Sequence, residues 1–489
     1  MGDEQEGRAR ADDMDGEPLR QLNARTGTAI IMGIASLGAA LILLGFWPGI
    51  MIDDARWQYQ QALDNAYEDW HPPLMAWVWR HLVALAPGPA PMFALQLLIY
   101  WAGIALIASA ANKRGHPRLA LALSIAGFVP APLALMGSVT KDALMDGVLL
   151  VASGLLLWRP MIQRPIFRAA LACGVMAALL IAAALRFNAF FACVPLALVA
   201  LPTGFTRTKP RLLLSALAAT AAFLAIGPAI SGLLHAENTD VKLSLIIFDL
   251  GGITEHSGVS QFPDLKVRDP VAVNHRCYDP YGWDSYSDWA ARPCPIGFDA
   301  IQPLVDDEGL NPTLLWVRAI AAHPVAYLEH RLTHFNLSSW FIVPSGPKFT
   351  AWSQSVPNPW GFQVRQNALT RATGFAVDAA AHTPLGWPIF WISLALAALI
   401  AGLIDDMPRE TIAIAASASA YGAGYLLVGV ATGIRYYMWT FSGAAVAALL
   451  IGAELWRRRS QRRSRLLAIP GAIIALTTLA AIVARMALT

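Results

Sequence analysis

The sequence predicts an all-α polytopic membrane protein with about eleven transmembrane helices. Hydrophobic residues make up 56% of the 489 positions and charged residues only 14%, against roughly 45–50% and 25% in an average soluble domain. The apolar residues also form uninterrupted blocks of about 20 residues, the length that a helix needs to cross a bilayer core. The net charge of +3 is small and divides by side of the membrane, so it indicates topology and not nucleic-acid binding.

The chain begins with a polar segment and continues into the first apolar block. Residues 1–25 mix both charges without an apolar core, which predicts a disordered cytosolic tail. No small-x-small cleavage site follows the first block, so we expect that block to remain as an anchor. The eleven blocks lie near residues 27–47, 91–111, 119–139, 143–158, 168–185, 189–203, 212–234, 386–404, 411–432, 436–456 and 466–486.

Positive charge orients these helices. If the N-terminus is cytosolic, the short inner loops carry fifteen Lys and Arg residues and the short outer loops carry three. The positive-inside rule then predicts a protein of the inner or plasma membrane whose N-terminus is cytosolic and whose C-terminus is outside. The inner residues are Lys113, Arg114, Arg118, Arg159, Arg164, Arg168, Arg207, Lys209, Arg211, Arg457, Arg458, Arg459, Arg462, Arg463 and Arg465, and the outer ones are Lys141, Arg186 and Arg435.

Two outer regions, residues 48–90 and 235–383, are too long to be simple connectors. Within the second, residues 314–335 show an amphipathic pattern, which fits a helix lying on the membrane or on the helix bundle. A core helix of a small soluble domain fits the pattern equally well. The apolar side of the pattern carries Trp316, Ile320, Leu328 and Leu332, and the other side carries Arg318, Glu329, His330 and Arg331. The predicted parts are a transmembrane module at 26–234 that contains the first outer loop, the outer region at 235–383, and C-terminal helices at 384–489.

The four cysteines divide in the same way. Cys173 and Cys193 lie in apolar blocks and are most simply buried packing residues, whereas Cys277 and Cys294 are the only two in the late outer region. An outer region faces an oxidising compartment, so we predict a disulfide between Cys277 and Cys294. Neither has a C-x-x-C partner, which argues against a zinc site.

The polar residues near the membrane boundary gather on the predicted outer side. Taken singly, Lys141, Arg186 and Arg435 are most simply helix caps or interfacial anchors. Their convergence with acidic residues indicates a site, because ionisable groups at the hydrocarbon boundary are energetically costly. Asp146 is expected to be a packing residue and Asp249 a turn former. The converging residues are Asp53, Asp54, Arg56, Asp69, His71, Lys141, Asp142, Arg186, Asn188, Arg435, Tyr436 and Tyr437.

Two short motifs in the first outer loop carry a resemblance to a known family. Asp53-Asp54-x-Arg56-Trp57 follows the first apolar block, and Trp70-His71-Pro72-Pro73-Leu74 comes shortly after it, with Trp77 beyond. This pattern and the topology resemble the C-fold glycosyltransferases (GT-C superfamily), whose members include protein O-mannosyltransferases and lipid A aminoarabinose transferases. The sequence departs from the pattern at Asp54, where many relatives have Glu, and at His71, which replaces the Lys of some.

The resemblance implies a glycosyltransferase that uses a polyprenyl-phosphate-linked sugar. The acceptor would be a lipid, glycan or protein that approaches from the periplasm or the cell exterior. In an inverting displacement, Asp53 would take the proton of the acceptor hydroxyl while cations hold the phosphate. Asp142 would orient the acceptor or join Asp53 or Asp54 at a Mg or Mn ion, for which Asp54 and Asp142 are the candidate ligands. The candidates for the phosphate are Arg56, His71, Lys141, Arg186, Arg435 and Tyr436.

Two other classes of protein share parts of this pattern. A polytopic transporter or flippase is expected to carry its charges near the midplane on broken helices, often with an internal repeat. Here the charges lie at the outer rim and no repeat is visible. A non-catalytic assembly factor for cell-envelope glycans would have the helices and the outer region without needing Asp53, Asp54 and His71.

Overall fold

The structure is a computed structural model that describes residues 25–344, 354–458 and 467–488. The predicted tail lies outside these residues except for Arg25, as do four arginines of the last inner loop. Within the described residues the chain forms α-helices, short 3₁₀ turns and isolated bridges but no β-strand, which confirms the all-α prediction. The helices are α1 (Arg25–Phe46), α2 (Asp53–Asp64), α3 (Leu74–Val83), α4 (Ala90–Lys113), α5 (Pro117–Ala126), α6 (Pro130–Leu135), α7 (Lys141–Trp158), α8 (Pro165–Leu185), α9 (Phe190–Ala200), α10 (Thr203–Thr206), α11 (Lys209–Leu233), α12 (Lys242–Ser257), α13 (Pro270–Cys277), α14 (Phe298–Asp306), α15 (Pro312–Ala322), α16 (Pro324–Ser339), α17 (Ala368–Ala381), α18 (Pro388–Ile404), α19 (Arg409–Val428), α20 (Met438–Arg457) and α21 (Ala468–Ala487).

The chain is a multi-pass membrane protein. In the part of the chain that the structure describes, eight helices are long and apolar enough to cross a membrane: α1, α4, α7, α8, α11, α19, α20 and α21. The other three predicted blocks are also helical, but they form the shorter helices α5 with α6, α9 and α18. Each of the eleven apolar blocks therefore corresponds to helix, although three are shorter than a full span.

The third predicted block, residues 119–139, is not one continuous helix. It breaks after α5 at Gly127, where a side chain would meet the indole of Trp101 at 2.7 Å. Pro130 then starts α6, and the residue before it, Val129, has an extended ψ of 126°, as steric contact with a following proline requires. Pro130 accounts for the break, and Gly127 lets this part of the chain pack closely against α4.

Two apolar cores organise the molecule. The larger one joins the membrane-spanning helices, and the smaller one belongs to the late outer region, where α12 packs against α15 and α16. The prediction of a single amphipathic helix over 314–335 is wrong, because Pro324 cannot continue the hydrogen bonding of α15 and starts α16 instead. The predicted faces also differ: His330 and Arg331 are buried, whereas Leu328 and Leu332 are about half exposed.

A buried ionic network lies at the centre of the smaller core. Asp249 is not a turn residue as predicted but lies inside α12, fully buried, with Oδ1 at 2.5 Å from Arg331 Nη2 and 3.2 Å from His330 Nε2. Gly252, one turn later, leaves room for His330, because a Cβ there would lie 2.1 Å from the ring. Arg331 also donates from Nη1 to the carbonyl oxygen of Gly429 at 2.6 Å. This network therefore ties the late outer region to the end of α19.

The late outer region is also joined to the first outer loop. Trp70 packs edge-on against Trp289, with ring centroids 5.3 Å apart, and at 5.5 Å against Trp283. Cys277 and Cys294 form a disulfide in the same part of the chain. The residue before His71 is thus fixed by aromatic contacts with the late outer region.

Candidate active site

The segment that leads into the first motif is held by two distant parts of the chain. Ile50 pairs with the stretch before α7, donating to the carbonyl of Gly137 at 3.0 Å and accepting from the N–H of Val139 at 2.9 Å. The N–H of Met51 donates to Ser355 Oγ at 3.0 Å. These bonds fix the start of α2, so that the second of its two N-terminal acidic residues, Asp54, lies beside Lys141 in the first turn of α7.

The first turn of α7 is fixed by a cap and by a buried amide. Thr140 Oγ1 accepts a hydrogen bond from the backbone N–H three residues on at 3.1 Å, which is an N-cap. Gln96, buried in α4, donates to the carbonyl of Ser138 at 2.8 Å. Lys141 and Asp142 therefore project from a rigid helix start.

Asp54 is the acidic residue that faces the bundle. Its Oδ2 lies 2.9 Å from Arg435 Nη1 and 3.8 Å from both Lys141 Nζ and His71 Nε2. Burial by itself would raise the pKa of Asp54, but the positive charges of Arg435 and Lys141 hold that pKa well below its usual range. Asp54 is therefore a permanent anion that holds basic side chains from three separate segments.

His71 is an uncharged partner of Lys141. Its Nδ1 lies 2.5 Å from Lys141 Nζ, which is a donor, so the imidazole accepts at this nitrogen. Burial first, and then the positive charge of Lys141, lower the pKa of His71 to about 3. Pro72 follows directly and restricts the backbone of His71 to extended conformations. At neutral pH His71 orients Lys141 and adds no positive charge.

A second acid–base pair adjoins the first. Asp142, fully buried, forms an ion pair with Nη1 of Arg186 at the C-terminal end of α8. The Tyr436 ring packs against two guanidinium groups, with Arg186 Cζ 4.9 Å and Arg435 Cζ 5.2 Å from its centroid. Tyr436 thereby joins the two pairs into one site.

The charged cluster, as we name it, has a simple charge balance. Lys141, Arg186 and Arg435 carry three positive charges. Asp54 and Asp142 carry two negative charges and His71 is neutral, so the cluster has one excess positive charge. Its members come from the first outer loop, the start of α7, the end of α8 and the turn before α20. They are Asp54, His71, Lys141, Asp142, Arg186, Arg435 and Tyr436.

Asp53 and Arg56 lie apart from the cluster. They form a salt bridge with each other at 3.5 Å, and their side chains are 68% and 35% exposed. Arg56 also packs over the ring of Trp57 at 5.4 Å. Of the sequence-predicted phosphate ligands, Arg56 is thus the one that the structure does not bring to the others, whereas Asp53 stands at the mouth of the site. Asp69 is used structurally, accepting from both the N–H and the hydroxyl of Thr239.

A cavity of about 430 Å³ opens beside the cluster, and we call it the first cavity. The first outer loop contributes Asp53 and Asp54 to its lining, and the turn before α20 contributes Arg435 and Tyr436. The late outer region contributes Asp279 and Asp284, among others, so that four carboxylates and one guanidinium group line the cavity. A ligand in this cavity would contact an exposed carboxylate and a basic side chain together.

Three residues of the site were not singled out from the sequence. Tyr421 and Tyr425 are buried in α19, and the ring of Tyr425 stacks on Tyr436 with centroids 5.8 Å apart. Their i, i+4 spacing places both on one helix face, which could have indicated them. Asp284 reaches the cavity from a distant segment of the chain. The only sequence feature that could have indicated it is the acidic and aromatic stretch around it.

The donor set does not fit a divalent cation at the predicted ligands. Asp54 is in ionic contact with Arg435 and Lys141, and Asp142 with Arg186, so a metal ion there would face cations at short range. Within the described ranges, no group of three or more His, Cys, Asp or Glu side chains is arranged to hold a metal. The carboxylates are already used to position basic side chains.

Comparison with known proteins finds similarity only among solved structures, since no family model and no curated protein matches the chain. ArnT from Cupriavidus metallidurans bound to undecaprenyl phosphate is 15% identical with a TM-score of 0.34, covering 89% of this chain and 81% of that one. The archaeal oligosaccharyltransferase AglB from Archaeoglobus fulgidus, in complex with an inhibitory peptide and a dolichol-phosphate, is 13% identical with a TM-score of 0.37. That match covers 94% of this chain and 55% of AglB, so the chain spans about half the length of AglB. Similarity at this level does not assign a function, which must be argued from the site.

Proposed function

We propose that this protein is a GT-C-type glycosyltransferase that moves a sugar from a polyprenyl-phosphate donor to an acceptor hydroxyl, with inversion at the anomeric carbon. The observation that carries the proposal is the single excess positive charge of the charged cluster, next to an open cavity. A sugar phosphodiester carries one negative charge, which this excess balances. The two motifs of the first outer loop support the same family.

The basic side chains suit the chemistry of a phosphate leaving group. As the bond between the anomeric carbon and the phosphate oxygen breaks, its electron pair passes to that oxygen and the lipid phosphate gains a second negative charge. Lys141, Arg186 and Arg435 stabilise this developing charge more strongly than that of the bound donor, and such differential binding accelerates a reaction. Arginine adds a planar fork of donors for phosphate oxygens.

Asp53 is the general base of the proposed reaction. The acceptor oxygen bonds to the anomeric carbon while its proton passes to the Asp53 carboxylate. Asp53 stands at the mouth of the cavity with an exposed side chain, whereas Asp54 is held strongly acidic by its basic neighbours and is a poor proton acceptor. Asp54 and His71 then position Arg435 and Lys141, which divides the roles of the first motif between its two acids.

The sidedness of the reaction follows from the same proposal. The positive-inside distribution supports a charged cluster on the periplasmic or extracellular face, with the N-terminus in the cytosol. Helix α11 is almost entirely unburied in the protein, which leaves an apolar surface for lipid. The polyprenyl chain lies in the membrane while its phosphate enters the charged cluster.

The test compares Asp53→Asn with Asp64→Asn in reconstituted membranes. Loss of a general base should slow transfer by about 10²–10⁴-fold without weakening binding of undecaprenyl phosphate. Asp64 is exposed at the other end of α2, so its variant should keep the wild-type rate. Wild-type transfer by Asp53→Asn would remove Asp53 as the base. Movement of lipid-linked sugar across the bilayer without any transfer would favour a flippase.

A further inference from the structure

A second cavity of about 910 Å³ adjoins the first, and we call it the outer cleft. The residues that line both are Asp279, Asp284 and Ser285. The rest of the lining comes from residues 273–295, the segment that the Cys277–Cys294 disulfide closes. A volume of this size is enough for a drug-sized ligand, since ligand pockets typically measure about 300–1,000 Å³. A molecule in the outer cleft would therefore reach towards the carboxylate of Asp53.

An aromatic platform stands in the outer cleft. Trp289 is 53% exposed, yet its ring is fixed by edge-on packing against Trp70 at 5.3 Å and Trp283 at 5.2 Å. Its indole N–H donates to Asp284 Oδ1 at 3.2 Å. An exposed aromatic ring that is held on two sides offers a preorganised surface for the apolar face of a ligand.

The charges that line the outer cleft balance. The two positive charges of Arg276 and Arg292 equal the two negative charges of Asp279 and Asp284. The cleft therefore has no excess charge that would select an anionic or a cationic ligand. The same four side chains supply hydrogen-bond donors and acceptors together, because guanidinium groups only donate and carboxylates only accept. Neutral molecules with many hydroxyl groups, each both donor and acceptor, match this lining.

We propose that the acceptor of the transfer reaction is a neutral saccharide bound in the outer cleft, with a sugar ring against Trp289 and hydroxyl groups on Asp284. This inference rests on the proposed function, of which it names the acceptor class. A lipid acceptor would need a continuous apolar wall, whereas four charged side chains interrupt the apolar part of this lining. A basic peptide would need an acidic excess, which the balanced lining lacks.

The experiment measures ligand binding by the full-length protein in lipid nanodiscs with saturation-transfer NMR. The probes are a panel of neutral di- to tetrasaccharides, with trilysine and triglutamate peptides for comparison. We expect at least one saccharide to bind, Trp289→Ala to weaken that binding at least tenfold, and Trp289→Phe to retain most of it. Asp284→Asn should weaken binding and raise the acceptor KM more than it lowers kcat, whereas Asp288→Asn, an exposed neighbour outside both cavities, should change neither.

Three outcomes would overturn the proposal. These are binding of no saccharide in the panel, saccharide binding that Trp289→Ala leaves unchanged, and peptide binding that depends on Trp289. Binding of undecaprenyl phosphate to wild type and to Arg435→Met, measured separately, distinguishes a failure of the saccharide proposal from a failure of the transferase proposal. Saccharide binding through Trp289 without any lipid-phosphate binding would reject the transferase and leave the outer cleft as a saccharide site.

Discussion

Replacing Arg435 with methionine tests the charge balance of the site most directly. Its Nη1 lies 2.9 Å from Asp54 Oδ2, and both side chains are largely buried. The substitution lowers the excess charge of the charged cluster from one to zero. A hydrogen bond to a charged group contributes about 1.5–3 kcal/mol, so the affinity for a lipid phosphate should fall by about 10–150-fold.

The same substitution also leaves Asp54 with less compensation, and breaking a buried ion pair costs up to about 3–5 kcal/mol of stability. The double variant Arg435→Met with Asp54→Asn separates the two effects, because it removes both charges and restores the excess of one. If net charge governs binding, the double variant should bind the lipid phosphate more tightly than Arg435→Met alone. Asp54→Asn alone raises the excess to two and should bind at least as tightly as wild type.

Binding of undecaprenyl phosphate to the purified protein in nanodiscs, followed by native mass spectrometry, provides the measurement. Arg56→Met is the matched control, since Arg56 pairs with exposed Asp53 and lies outside the charged cluster. Wild-type affinity in Arg435→Met would refute the reasoning. An equal loss of affinity in Arg56→Met would do so as well, since it would show no preference for the buried cations.

Three further predictions concern protonation and stability. Because the pKa of folded His71 is about 3, binding of a lipid phosphodiester should not change between pH 5.5 and 7, and a titration near 6.5 would contradict a neutral His71. The unfolded chain takes up that proton near pH 6.5, so His71 also lowers stability as pH falls from 6.5 towards 3. Gly252→Ala should lower stability by about 1–3 kcal/mol, because the new methyl group would overlap with the buried network. The control is Gly232→Ala, whose site is open, and it should melt at a higher temperature. Equal melting temperatures of the two variants would contradict the overlap. Replacing Cys277 and Cys294 by Ser should cost about 3 kcal/mol, and unchanged melting in non-reducing buffer would contradict a stabilising bridge.

The sequence predicts the convergence of the charged cluster well, and the reason is geometric. Lys141, Arg186 and Arg435 each stand at the predicted outer end of an apolar block, and alternating topology is expected to bring those ends to one face. His71 was found through its motif, yet its charge state depends on burial next to Lys141, which no spacing reveals. The separation of Asp53 from Asp54 likewise depends on which face of α2 packs inward.

The late outer region shows where sequence patterns fail. Gly251 and Gly252 follow Asp249 closely, a pattern that indicates a turn, but those glycines serve close helix packing around a buried ion pair. Arg331 was assigned to a polar face, because periodicity cannot anticipate a partner that is 82 positions away, as Asp249 is. Asp284 reaches the site only through long-range folding of its segment.

The buried contact between Arg331 and the carbonyl of Gly429 has a consequence for how the two substrates act on each other. The same loop accepts a hydrogen bond at Val430 from the N–H of Trp283 at 3.0 Å and ends at Arg435. One wall of the outer cleft and one donor of the charged cluster therefore lie on two chain segments that this hydrogen bond joins. If a bound acceptor changes the free energy of donor binding through the position of Arg435, a bound donor must change the free energy of acceptor binding by the same amount. Thermodynamic linkage between two sites is reciprocal. The two affinities should change by the same factor, whichever substrate arrives first.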